Sequence, residues 1–211
     1  MKFAFVLVVA VGLMSLATAQ EKPEAQSKDG SKAKSMSRQT AAATDKAATI
    51  REALSAGRPE MAKTATVKDW DGNVLKQGDG PYTCFPTPPT MKKTGGKAPT
   101  CLDKTWQDWA TAWQNKKDFK ADHVAVGYML EGDTGASNTD PYAQTPTSDN
   151  HWVVSGPHTM VLVPDASQLD AISDDPNNGG PFVMWKGTPY AHMMVPVGKK
   201  AGGGMGQHAA H

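Results

Sequence analysis

Between residues 65 and 197 the chain falls repeatedly into short β-prone runs separated by Gly and Pro. This punctuation restricts the fold more than any other feature, because period-two alternation suits a sheet with one buried face. The clearest case is 122–131, where His123, Ala125, Gly127 and Met129 alternate with Val124, Val126, Tyr128 and Leu130. Runs at 65–70 and 73–77 are joined through Asp71-Gly72, a hairpin turn pair. A further edge run covers 82–85. The segment 151–163 is interrupted by Gly156-Pro157, where a bulge or bend is expected. Strands at 181–185 and 190–197 follow, joined by a turn through Lys186-Gly187-Thr188-Pro189.

Two stretches read as helices. Thr49 and Glu52 form a capping box before Ala53 and Leu54, and Gly57 with Pro59 ends that helix. Asp103 opens another, in which Trp106, Trp109, Ala110 and Trp113 share one face. Such a stripe is read as core packing, with an aromatic ligand platform as the alternative. Together these elements predict an α+β fold, mainly an antiparallel sheet with helices packed on it. Curling of the sheet toward a barrel is left open.

The ends differ in composition. One Lys and an apolar run to Ala19, closing on Ala17-Thr18-Ala19, read as a secretory signal peptide. Residues 20–47 have almost no large apolar groups and read as a disordered linker. One domain is expected over 48–197, then a Gly- and His-bearing flexible tail over 198–211. Loss of Lys2 with the leader leaves 21 basic against 21 acidic residues, from 22 and 21. A neutral chain argues against nucleic acid or an anionic membrane as a charge-driven partner. Export implies a periplasmic or secreted protein, and there Cys84 and Cys101 are expected to form a disulfide.

The runs Tyr128-Met129-Leu130, Ala136-Ser137-Asn138-Thr139-Asp140-Pro141, Gly156-Pro157-His158-Thr159-Met160 and Gly180-Pro181-Phe182-Val183-Met184-Trp185, with Gly187-Thr188-Pro189-Tyr190-Ala191-His192, resemble a family of secreted bacterial proteins of unassigned function. The likeness covers about 150 residues. It implies a single secreted domain and carries over no catalytic residue.

The most specific chemistry lies in two segments of the form His-x-Met-Val, at His158 and at His192. On a strand His158 shares a face with Met160, and His192 with Met194 and Tyr190. Imidazole and thioether together suit copper, above all Cu(I). His158, Met160, His192 and Met194 are therefore the expected metal ligands. Trp185, Tyr190, Asp133, Asn138 and Asp140 are expected around a pocket formed with the long 132–150 segment. Two other classes compete. A hydrolase or lyase would use His158 and His192 as acid and base, although no G-x-S-x-G or H-E-x-x-H motif is present. A binding or structural domain without metal would use the same residues only for packing. Asp69 and Asp71 are candidate hard-cation ligands, with turn chemistry as the simpler explanation.

Overall fold

A computed structural model describes residues 28–198. The segment expected to be a leader, residues 20–27 of the expected linker, and the tail beyond Gly198 lie outside the described residues. The chain divides into two compact units, residues 1–40 and 41–211. The described part of the first is the opening of helix α1 (Lys28–Leu54). The second carries the rest of α1 and all of the sheet.

The helix expected to begin at Thr49 begins at Lys28 instead. Its first half is built from Ala, Lys, Gln, Ser and Met, most of them good helix formers. The Thr49 hydroxyl bonds back to the Asp45 carbonyl rather than capping. Residues 38–48 are all exposed, so this stretch is helical without burying a core face. Among the described side chains burial comes only at its end: Ala53, and Ala56 just past the helix, pack on Ala65, Val67 and the disulfide.

Eight strands form one open sheet, in the order β2-β1-β3-β4-β5-β8-β10-β9. They are β1 (Thr66–Lys68), β2 (Val74–Lys76), β3 (Thr83–Phe85), β4 (Thr100–Leu102), β5 (Ala125–Met129), β8 (His158–Leu162), β9 (Phe182–Met184) and β10 (His192–Pro196). All pairings are antiparallel except β1 with β3. The sheet does not close into a barrel, since β2 and β9 are its edges. The β3 run expected at an edge lies inside, because β1 pairs with it in parallel while β4 covers its other side. A second small sheet joins β6 (Ala136–Ser137) to β7 (Trp152–Val153). The long run at 151–163 thus becomes two strands in two sheets, parted at Gly156-Pro157.

Alternation sends the two faces of the sheet to different partners. On β4, Cys101 faces α1, and its sulfur is bonded to Cys84 directly opposite. Leu102 faces the other way, toward α4 (Lys104–Gln114). Asp103 caps α4: its Oδ1 accepts the Trp106 N–H at 2.8 Å, and its Oδ2 accepts the Val126 N–H at 3.2 Å. One side chain therefore starts the helix and ties it to β5. Trp106 and Trp109 are buried against the sheet, as the stripe predicts, and Trp113 is half-buried. Two short helices, α2 (Pro59–Thr64) and α3 (Pro89–Lys93), complete the periphery.

Candidate functional site

The α4 face of the sheet does not pack solid. A cavity of about 250 Å³ lies between α4, the sheet and the start of the 132–150 segment. Its walls include Trp106, Trp109 and Trp185, five methionines (Met91, Met129, Met160, Met184 and Met194), and both His158 and His192. A groove of about 750 Å³ adjoins it, sharing Trp70, Pro88, Met91 and Trp113 with it.

Strand register decides which of these groups are neighbours. Met194 stands directly opposite Met160 on one side and Phe182 on the other. His192 stands opposite Met184. His158 stands opposite Pro196 on β10 and Met129 on β5. The four expected ligands therefore lie on one buried face and line one cavity, but the two histidines occupy different levels of it. Met129 and Met184 also belong to the cavity wall; their pairing partners are long-range and leave no local mark in the sequence.

His192 is enclosed by aromatic rings. Trp106, Trp109 and Trp185 each meet it edge-to-face at 5.3–5.4 Å between centroids. Burial drives its pKa down to about 4; the hydrogen bond to the Tyr190 carbonyl opposes this and the nearby His158 adds slightly to it. The imidazole is thus neutral at physiological pH. Its Nδ1 lies 2.9 Å from the Tyr190 carbonyl oxygen, a pure acceptor, so Nδ1 carries the proton and Nε2 the lone pair. His158 repeats this arrangement: Nδ1 lies 2.7 Å from the Gly156 carbonyl, two residues back. Its Nε2 is buried with no hydrogen-bond partner, 4.0 Å from Asp133 Oδ2. The indole N–H groups of Trp106 and Trp109 are likewise buried and unpartnered.

Trp185 is held in an uncommon backbone state, φ 57°, which a bulky residue adopts only under constraint. Its N–H donates to Asn138 O at 2.9 Å and its indole N–H to Ser137 O at 2.7 Å. These bonds stack the ring on Trp109 at 5.5 Å with 3° between planes, against His192.

Asp133 reaches the cavity wall, with Oδ1 accepting the Gly135 N–H at 2.8 Å. Asn138 instead donates to Asp174 O and buttresses Trp185 through its backbone carbonyl. Asp140 is exposed in the groove and accepts the Tyr142 N–H. Tyr190 is buried, its hydroxyl bonded to Tyr142 and Lys117, an anchor rather than a cavity group. Asp69 is consumed by its turn, accepting N–H bonds from Asp71 and Asn73. A separate polar cleft carries His123, bonded to exposed Asp122 and to Thr105.

Among the described residues no group of three or more His, Cys, Asp or Glu side chains gathers in a metal-holding arrangement. A metal in this cavity would need the thioethers. Among the same residues no helix is long and apolar enough to cross a membrane. Comparison of the chain with family models, curated proteins and solved structures finds no match. The fold and the cavity therefore define the protein as a disulfide-bearing α+β domain with a thioether- and indole-lined chamber, and function is argued from that chamber.

Proposed function

We propose that the protein is an exported binding domain whose cavity holds a soft monovalent metal ion, Cu(I), beside His192. The observation that carries this reading is the neighbourhood of His192: a neutral imidazole opposite Met184, two residues from Met194, with three indole rings around it. Imidazole and thioether donors are the ligand types Cu(I) favours. Both donor types are uncharged, electron-rich indoles surround His192, and the Asp133 carboxyl lies on the same cavity wall. Met160 lies opposite Met194 and extends the thioether surface. A Cys84–Cys101 disulfide accords with an oxidising compartment, as the Ala-x-Ala leader motif requires.

Anaerobic titration of the full chain with Cu(I) against a chromophoric chelator tests this. His192→Ala is expected to weaken binding by at least tenfold, within the range for losing one metal ligand or its support. Retained affinity in that variant contradicts the reading. A second reading has its own support: the walls are almost wholly apolar, so a small uncharged organic molecule would also be desolvated there. It predicts that such a ligand binds equally well to Met184→Leu, which keeps volume and removes the sulfur.

A further inference from the structure

We infer that the groove beside the chamber is a binding site for a neutral oligosaccharide, with pyranose rings laid against Trp70 and Trp152. Such a site functions whether or not the chamber holds an ion.

At about 750 Å³ the groove has the size of a ligand site. It is assembled from distant parts of the chain: the turn after β1, helix α3, the end of α4, and residues 134–152. Trp70, Trp113 and Trp152 are half-buried and line it. Each ring is held by its surroundings. Trp70 donates its indole N–H to Pro86 O at 2.7 Å and packs on Phe85, with 5.1 Å between centroids. Trp113 donates to Pro141 O at 3.1 Å and stacks on Tyr142 with 3° between planes. Trp152 lies across Gly135, where any Cβ would come within 2.0 Å of its Nε1. Rings fixed in this way lose little conformational freedom when a ligand seats on them.

The lining chemistry selects the ligand. Asp140 carries the only ionisable side chain among the lining residues. A nucleotide or a polyanion would find no cation there to match its charge. Exposed amide, hydroxyl and carboxylate groups stand around the rings, on Gln114, Gln144, Thr90 and Asp140. Gln144 gives its Nε2 to Tyr142 O, and Asp140 Oδ1 accepts the Tyr142 N–H. Gln144 Oε1 and Asp140 Oδ2 are left as acceptors. Sugar hydroxyls both donate and accept, and the C–H face of a pyranose is apolar. One ligand class therefore uses both halves of this lining. A proline-rich peptide also seats in aromatic grooves. Its carbonyls need donors, and the N–H groups of Trp70, Trp113 and Trp185 are already given to Pro86, Pro141 and Ser137 carbonyls. Stacking of a sugar asks only for ring faces.

The test is calorimetric titration of the full chain with cellohexaose, mannohexaose, maltohexaose and chitohexaose, and with hexagalacturonate and decaproline in parallel. At least one neutral hexasaccharide is expected to bind, and more tightly than hexagalacturonate. Trp152→Ala should weaken that binding by about tenfold or more, as for an aromatic anchor. Gln144→Ala, at an exposed position, should weaken it by about threefold while leaving the unfolding midpoint in place. The second variant keeps the test decisive should Trp152→Ala fold poorly. Binding of none of the four neutral sugars, or of decaproline or hexagalacturonate in preference to them, overturns the inference. So does a sugar that binds both variants as well as the parent chain.

Discussion

His192 is the residue on which the chemistry turns, and its burial has a consequence for stability. Its pKa in the fold is about 4, against about 6.5 when unfolded. The unfolded chain therefore binds the proton more readily. Above pH 6.5 both states are neutral and the fold keeps its full stability. As pH falls from 6.5 toward 4 the unfolded state gains a proton and the fold loses on the order of 3 kcal/mol. Denaturant titrations between pH 7 and pH 4 should show this decline, and His192→Phe should flatten it. A decline of unchanged steepness in that variant would assign the effect to other groups. Gly135 offers a second residue-scale test. It sits at φ 121°, and a Cβ there would lie 2.0 Å from the Trp152 indole nitrogen. Gly135→Ala should destabilise by more than about 1 kcal/mol through strain and overlap combined, measured by urea unfolding.

At the scale of elements, α4 joins sheet and cavity. Trp109→Ala removes a ring that stacks on Trp185 and meets His192. Its cost should be about 3–5 kcal/mol, as for large core aromatics. A loss below about 1 kcal/mol would mean that the ring serves the cavity alone. Asp103→Ala removes both the cap and the bond to Val126, and should cost about 1–2 kcal/mol. These features were legible in sequence: the Asp103 start, the indole stripe and the period-two runs are all local patterns. What was not legible is non-local. Met129 and Met184 join the cavity through pairing with β8 and β10, and no residue near them announces that register. The early start of α1 was missed because its first half has helix-forming composition without an apolar face, the feature from which helices are read. The separation of the two histidines was hidden for the same reason as the methionines. Similar local motifs, each bonded to the carbonyl two residues back, sit out of step across one pair of strands.

For the molecule as a whole, the disulfide and the cavity stand on opposite faces of one sheet. Cys84 and Cys101 pair across β3 and β4 beneath the end of α1, while the chamber lies under α4. Replacing both cysteines by Ala should cost about 3 kcal/mol for a loop of this length, seen as a lower unfolding midpoint. Metal affinity in the folded variant should change little, because the bridge touches none of the cavity donors. The central claim is that thioether and imidazole groups inside the chamber, rather than the histidines near the C-terminus, hold the ion. X-ray absorption at the copper edge of the Cu(I)-loaded full chain addresses it most directly. The account predicts sulfur and nitrogen neighbours together at about 2.3 and 2.0 Å, typical metal–sulfur and metal–nitrogen lengths. It predicts that this shell survives replacement of His208 and His211 by Ala and is altered by His192→Ala. A shell of nitrogen and oxygen alone, lost with His208 and His211 and indifferent to His192, would contradict it.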